Sequence, residues 1–353
     1  MKILVIGAGA IGSLVGGKLA LAGEEVTLAG RPRFAAAVQA RGLRLIDESG
    51  ERSITTIVAA ASIAEAVAIQ PAPFDLAIFT VKSYDTATAL AELAAAVNAH
   101  QRPVRSLLSV QNGVGNEEAL AAAFPALPVI AGSITTPVSV PDVATIRIDK
   151  PRYHLSLAPW RPATAGPEFA AARAALARAG FSADTYASAA GMKWTKLLMN
   201  MVGNATPAIL GLPPDQLFAD PAIVDIEIKA WRETLAVMAA AGIAPVNMAQ
   251  YPFRWLAPLI RLVPSAWIRP LLRKSVGGAR GGKLPSLLLD VQAGKAQNEV
   301  GWLNGAVAAL GARVGVATPI NHRLTELVMA VATNPAERTA WQGDRHRLAA
   351  LFL

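Results

Sequence analysis

Three polar side chains recur at intervals of four in the stretch KWTKLLMNMVGN, residues 193–204: Lys196, Asn200 and Asn204. A helix advances about 100° per residue, so on an uninterrupted helix all three fall within about 80° of one another. Trp194, Leu197, Leu198 and Met201 occupy a separate arc, the natural core face. A lysine ammonium can stabilise negative charge developing on a carbonyl oxygen and can donate a proton, while amides orient a substrate. The bland alternative is an amphipathic helix with a solvated face. Asn is a poor helix former, and exposed stripes usually carry Glu, Lys or Gln. Spacing alone leaves both readings open.

What such a stripe would act on depends on the elements before it. Residues 2–6, KILVI, read as a fully buried strand, and a helical pattern runs to about Ala22. Between them lies Gly7-Ala8-Gly9-Ala10-Ile11-Gly12. The first glycine permits the tight turn, the second lets a pyrophosphate approach the backbone, and the third allows close helix–strand packing. Phosphates would rest on the helix N-terminus, where free N–H groups and the dipole favour anions. The placement between strand and helix favours a dinucleotide site over a mere Gly-rich turn. The second strand ends Val26-Thr27-Leu28-Ala29-Gly30-Arg31-Pro32-Arg33, without an acid to bind a ribose 2′-OH. Arg31, with Arg33 as a helper, suits a 2′-phosphate, so NADPH is expected rather than NADH.

The pattern continues as EEVTLA (strand), FAAAVQAR (helix), FDLAIFTV (strand), a helix over about 83–97 and VRSLLSV (strand). Further strands are expected near 128–135, 144–148 and 153–157, then a helix over 165–179 and a short strand near Phe181. Alternation of this kind implies right-handed βαβ units and a parallel sheet. From about Ala187 helical patterns dominate, over 188–206, 220–241, 283–293, 298–313 and 320–333. The expected fold class is α/β: a Rossmann-type doubly wound domain over 1–186, then an all-α C-terminal domain over 187–353. An irregular insertion spans about 251–282 and mixes Arg, Trp, Leu and Pro before a Gly-rich end. It could be a basic amphipathic surface for a membrane or a partner. Because prolines interrupt any long amphipathic helix, the preferred reading packs its Trp and Leu inward.

Hydrophobic residues make up 53% of the 353 and charged ones 16%, which excludes a disordered chain. The absence of cysteine removes disulfides, thiolate metal sites and Cys nucleophiles, and the four scattered histidines show no metal-ligand spacing. A net charge of +8 favours anionic partners. A phosphorylated cofactor or a carboxylate substrate fits that charge, and no nucleic-acid module is recognisable. Met1-Lys2, an apolar run and Ala20-Leu21-Ala22 imitate a secretion signal, but glycines interrupt the run. No uninterrupted apolar stretch reaches the roughly 20 residues that span a bilayer. A cytoplasmic protein without a membrane partner is expected, and the long apolar C-terminal helices are compatible with a homodimer.

GAGAIG, TVKSYDT at 80–86, VQNGVG at 110–115, KWTKLLMNMVGN at 193–204 and NEVGWLNGAV at 298–307 resemble, in order and spacing, the ketopantoate reductases (2-dehydropantoate 2-reductases). The resemblance runs to about residue 330. It implies reduction of a 2-oxo acid by NADPH in a cleft between a Rossmann domain and a helical domain. It further implies Lys196 as general acid, Glu299 as holder of a substrate hydroxyl and assistant in catalysis, and Asn200 and Asn204 as orienting amides. Ser286 would help bind the substrate carboxylate, and Asn112 and Lys82 would line the nicotinamide side. From the residues alone, Asn112 could be a simple Asn-Gly turn, Lys82 a solvated first-turn lysine, and Glu299 an acid complementing a helix dipole behind Asn298. Lys193 is the rival lysine and is expected to be exposed.

The chain departs from the family pattern at three places. Gly301 stands where the family commonly has an acid, the Asp290–Glu299 segment is one residue longer than the shorter family pattern, and the 251–282 insertion precedes Ser286. These bear on the substrate more than on the reaction. The alternatives are a related reductase or opine-type dehydrogenase acting on another 2-oxo acid, and a non-catalytic NADP(H)-binding sensor.

Overall fold

Lys2–Ile6 alternates its side chains between two buried layers, which is why it sits mid-sheet with both faces covered. Ile3 and Val5 pack with Leu14 and Leu19, whereas Leu4 and Ile6 pack with Phe74, Phe79 and Leu93. The structure, a computed structural model, describes residues 1–151, 153–248, 251–279 and 284–352. Its contacts divide into two units, Met1–Lys193 and Trp194–Leu353.

The first unit carries strands β1 (Lys2–Ile6), β2 (Glu25–Ala29), β3 (Leu43–Asp47), β4 (Gly50–Ile54), β5 (Val58–Ala60) and β6 (Leu76–Phe79). They are followed by β7 (Leu107–Ser109), β8 (Val129–Ile134), β9 (Val138–Asp142), β10 (Thr145–Ile148), β11 (Leu155–Pro159) and β12 (Asp184–Thr185). The main sheet has the order β12-β11-β8-β7-β6-β1-β2-β5. It is parallel from β5 to β8, and β11 runs antiparallel to β8. The expected short strand near Phe181 lies instead at Asp184–Thr185, paired with β11. A second, four-stranded sheet, β4-β3-β10-β9, was not expected beyond its 144–148 segment. Its strands β3, β4 and β9 interleave polar residues with apolar ones, and β4 and β9 are largely exposed, so their sequence lacks the apolar runs that mark the main sheet. Helices α1 (Ala10–Leu21), α2 (Pro32–Arg41), α3 (Ile63–Ile69), α4 (Thr86–His100), α5 (Asn116–Ala123) and α6 (Pro167–Arg178) complete the unit.

α7 (Ala189–Met201) crosses the division, which falls between Lys193 and Trp194 rather than at the expected 186/187. Lys193 is tied by its side chain into the first unit, and that draws the opening turn of α7 with it. The second unit continues with α8 (Ala205–Leu210), α9 (Pro214–Leu217), α10 (Pro221–Ala240), α11 (Phe253–Leu262) and α12 (Ser265–Ala279). Then come α13 (Ser286–Gln292), α14 (Asn304–Val314), α15 (Pro319–Thr333), α16 (Pro335–Trp341) and α17 (Arg345–Ala350). The 20-residue α10 is the central strut, with Asp220 capping the Ala222 N–H and Pro221 at the first helical position. Glu233 on α10 accepts the Ile320 and Asn321 N–H groups at the start of α15, where an acid meets unpaired donors. Burial nonetheless pushes the Glu233 carboxyl above its ordinary pKa, against the pull of those N–H groups.

The 251–282 insertion differs from its expectation. It forms α11 and α12, joined at Val263–Pro264, and Trp255 and Trp267 are 75% and 76% exposed instead of packed inward. Against the expectation, Pro258 and Pro270 lie inside these helices without ending them, and each helix turns only one face inward. The last residues of the Gly-rich stretch, 280–282, lie outside the described residues.

Candidate active site

The glycine loop after β1 is built by steric exclusion. Gly7 has φ +101°, and a Cβ there would stand 2.7 Å from the Val81 nitrogen. A Cβ on Gly12 would lie 2.1 Å from the Gly7 carbonyl oxygen and 2.5 Å from Thr80 Oγ1. Thr80 donates its hydroxyl to that same Gly7 oxygen at 2.6 Å, so the turn and the end of β6 lock together. At Gly9 a Cβ would meet nothing within 4 Å, so the space above the middle glycine is open. α1 starts there with no side-chain cap and no acid in its first turn. The first N–H groups of the helix are thus left for an anion, which fits the pyrophosphate of a dinucleotide. The two classes of glycine separate by experiment. Gly9→Ala is expected to leave the urea midpoint unchanged while weakening cofactor binding, and Gly12→Ala to lower the midpoint itself.

Beyond β2, a Cβ on Gly30 would press within 2.8 Å of Ala8 Cβ and 2.9 Å of the Phe34 ring. No side chain, acidic or otherwise, fits at that position without displacing them. The first side chain available past the strand is Arg31, exposed at the start of α2, with Arg33 also exposed.

Lys82 and Asn112 are brought together by a polar lattice. Lys82, half-buried, precedes the single turn Ser83–Asp85. The Ser83 hydroxyl donates to the Asn112 carbonyl at 2.9 Å, and the Asn116 amide donates to both that carbonyl and the Ser83 oxygen at 3.1 Å. The Gln111 amide donates to the Val81 carbonyl at 3.0 Å and to Thr86 Oγ1 at 2.7 Å. Asn112 itself is exposed, followed by Gly113 and Gly115 at positive φ. The chain bends at Asn112-Gly113, and its backbone is fixed by buried neighbours.

Lys193 is buried, contrary to expectation, at 4% exposure. Its ammonium lies 2.8 Å from Glu117 Oε1 and donates to the Gln111 carbonyl at 2.7 Å and to that of Gly132 at 3.4 Å. A carboxylate and two carbonyls replace the water that an ammonium would otherwise need. Nothing in the sequence pairs Lys193 with Glu117, which lies 76 positions earlier.

In the second unit the expected polar line is interrupted. α7 ends at Met201, a turn follows, and Asn204 is the residue before α8 rather than part of one continuous helix. Gly203 sits at φ +57°, and its N–H reaches Glu227 Oε2 at 3.1 Å. Thr206 donates to the other oxygen of Glu227, so a buried acid of α10 holds the break open. Sequence reasoning missed Glu227 because it lies on a different helix from the atoms it holds. Asn204 is 5% exposed; its amide nitrogen donates to the Asn200 carbonyl at 3.1 Å and its oxygen accepts from Leu287 N at 3.2 Å. Both ends of that amide are engaged with backbone, and together they bind the end of α7 to the start of α13. Ser286, adjacent to Leu287, opens α13 with its side chain exposed. Lys196 and Asn200 remain on α7, both half-buried.

Glu299 is 4% exposed and begins the short turn Glu299–Trp302 behind Asn298, whose side chain caps the Val300 N–H at 3.0 Å. The turn leads into α14, where the Asn304 amide donates to Asn321 Oδ1 at 3.0 Å. A Cβ on Gly301 would meet nothing within 4 Å, so the acid absent from this position is missing by sequence and not by steric exclusion.

Two family models match the chain: Ketopantoate reductase PanE/ApbA over residues 3–159 and Ketopantoate reductase PanE/ApbA C terminal over residues 189–332. The chain belongs to the ketopantoate reductase family. A 2-dehydropantoate 2-reductase of Pyrococcus horikoshii is 30% identical over 335 residues, covering 94% of this chain and 97% of the relative. The enzyme of that name from Halobacterium salinarum is 29% identical, over 93% of this chain and 98% of its own. Among solved structures, a PanE/ApbA family ketopantoate reductase from Ralstonia eutropha superposes with a TM-score of 0.77 at 27% identity, covering 96% of this chain and 100% of that one. A D-mandelate dehydrogenase solved with NADH and anilino(oxo)acetate shares the fold, with a TM-score of 0.76 at 20% identity over 97% and 99% of the two chains. Ketopantoate reductase membership makes the chain an oxidoreductase and accounts for both the parallel sheet of its first unit and the helices of its second.

Proposed function

We propose that the protein reduces a 2-oxo acid to the 2-hydroxy acid with NADPH, 2-dehydropantoate being the substrate that its family membership favours. The observation that carries the cofactor half is Gly30: no side chain fits at the usual ribose position, and Arg31 is the first group beyond it. When bound, NADPH supplies the hydride. The chain's own residues do the rest. The open face at Gly9 and the uncapped start of α1 receive the pyrophosphate, and Arg31 pairs with the 2′-phosphate, helped by Arg33. Lys82 and Asn112 line the nicotinamide side from two loops held by Ser83, Gln111 and Asn116.

Lys196 is the general acid. Its ammonium stabilises the charge that grows on the C2 oxygen during reduction and passes a proton to it. Asn200 orients the substrate directly. Asn204, whose amide is engaged with backbone at both ends, acts by fixing Asn200 and the start of α13, where Ser286 meets the substrate carboxylate. Glu299 holds a substrate hydroxyl. Gly301 and the insertion before Ser286 support a second reading, in which the acid reduced is not 2-dehydropantoate.

The deciding experiment follows NADPH absorbance against a panel of 2-oxo acids that includes 2-dehydropantoate. Turnover confined to another acid selects the second reading, and cofactor binding without turnover of any would make the protein a sensor. Arg31→Ala is expected to raise KM for NADPH by about 10- to 100-fold and to leave that for NADH nearly unchanged, the loss of one charge-assisted contact. Equal effects on both cofactors would remove Arg31 from the 2′-phosphate.

A further inference from the structure

The helical pair α11–α12 turns apolar side chains to solvent in a repeated pattern. Trp255-Leu-Ala-Pro-Leu259-Ile-Arg261 and Trp267-Ile-Arg-Pro-Leu271-Leu-Arg273 share W-x-x-P-L-x-R at a distance of twelve residues. In both copies the sixth residue, Ile260 or Leu272, is buried, while the Trp, Pro, Leu and closing Arg are exposed. Leu262 extends the first stripe at 83% exposure. On α11 the positions 255, 259 and 262 fall on one side, opposite the inward Phe253, Ala257 and Ile260.

This outer face belongs to a firmly seated element. Phe253 packs edge-on against Trp231 of α10 at 6.4 Å. Arg232 of α10 donates to the Ile260 carbonyl at 2.9 Å, the Val263 carbonyl at 2.6 Å and the Ser265 hydroxyl at 3.1 Å, which fixes the corner between the two helices. Arg269 pairs with Asp225 of α10 through two contacts of 2.8 and 2.5 Å. With both helices held on α10, both stripes face away from it.

Within the two helices themselves the charge has one sign, and the Asp225 carboxylate of α10 is taken up by Arg269. Residues 251–279 contain Arg254, Arg261, Arg269, Arg273 and Lys274 and no acid, in a chain of net charge +8. Next to the first stripe, an apolar groove of about 660 Å³ runs between α10 and α11, walled by Leu235, Ala239, Ile243 and Ala257, with Arg254 and Arg261 in its lining. Guanidinium groups beside apolar walls, with two tryptophans alongside, complement a phosphate headgroup above acyl chains. A second copy of the chain complements it less well, because a twofold contact sets the patch against itself and brings the cations of both copies together, with no acid in residues 251–279 to offset them. Among the described residues no helix is long and apolar enough to cross a membrane, so the element can lie on a bilayer and not span it.

We propose that the outer face of α11–α12 is a docking surface for an anionic lipid bilayer, with the Trp255/Leu259/Leu262 and Trp267/Leu271 stripes entering the interfacial layer and Arg254, Arg261, Arg273 and Lys274 meeting lipid phosphates. This surface is independent of the reductase reading. The test is co-sedimentation of the full chain with vesicles of phosphatidylglycerol and phosphatidylcholine, against phosphatidylcholine alone. Binding is expected to the anionic vesicles only, to fall with added salt, and to quench tryptophan emission when brominated lipid is included. Arg254→Ser/Arg261→Ser should weaken it about 30-fold and Trp255→Glu/Trp267→Glu should abolish it, with the urea midpoint and cofactor binding unchanged because these side chains are exposed. Absence of binding, or equal binding to neutral vesicles, overturns the proposal. So does a doubling of mass in solution that the tryptophan variant reverses while vesicles are ignored, since the face would then belong to a second copy.

Discussion

Lys196→Ala is expected to lower kcat by about 10²-fold or more while leaving the cofactor Kd and the urea midpoint near their original values. Lys196 is half-buried on α7, and that helix is anchored on its apolar side by Trp194, Leu197, Leu198 and Met201, all nearly inaccessible. Truncating the lysine leaves those anchors in place, so the loss should appear in the chemical step and not in folding. Because the ammonium acts on charge that exists mainly at the transition state, KM should change much less than kcat. Lys196→Arg keeps the charge but donates from a guanidinium that does not deprotonate, so it should recover little. Turnover within a factor of about three of the parent would remove Lys196 from the general-acid role.

How far this could be read in advance depends on whether the determining contact is local. KILVI–GAGAIG needs only neighbours in sequence to be recognised: a buried run, then a turn that glycine alone can make. The folded chain follows it down to the clash that a Cβ at Gly12 would make. The same holds for the core arc of α7. Asn204 shows where that reasoning stops. Helical spacing places it in line with Lys196 and Asn200, and the residues that end α7 early are Gly203 at positive φ and Glu227 on α10, whose carboxylate takes the freed N–H. A buried acceptor supplied from another helix leaves no periodic signal. The insertion failed in the opposite sense. Inward packing of Trp255 and Trp267 rests on prolines breaking any amphipathic helix, yet Pro258 and Pro270 sit inside helices of 10 and 15 residues, and hydrophobic residues at a surface are not excluded. The small second sheet escaped because β4 is exposed at all but Ile54 and β9 at its last three residues, while β3 alternates only over Leu43-Arg44-Leu45, too short a stretch to mark a strand.

Lys193→Met is expected to cost about 3–5 kcal/mol of stability, the penalty for stranding the Glu117 carboxylate at 1% exposure. The pair is a long-range tie between α5 and the first turn of α7, and its ammonium also holds the Gln111 carbonyl at 2.7 Å. Removing the cation leaves a buried anion with no compensating charge, whereas removing both charges leaves two apolar or neutral groups in contact. The double variant Lys193→Met/Glu117→Gln should therefore regain most of the loss, and urea midpoints of the two singles and the double give the coupling directly. The kinetic signature differs from that of Lys196. Gln111 immediately precedes Asn112, so slackening its carbonyl should raise KM for the cofactor several-fold in Lys193→Met, and kcat should stay within about tenfold of the parent. Two lysines one helical turn apart thus separate by experiment into one that turns over substrate and one that holds a loop. A stability change below about 1 kcal/mol, or a double variant no more stable than Lys193→Met, would show that the Lys193–Glu117 pair does not carry the fold at this point.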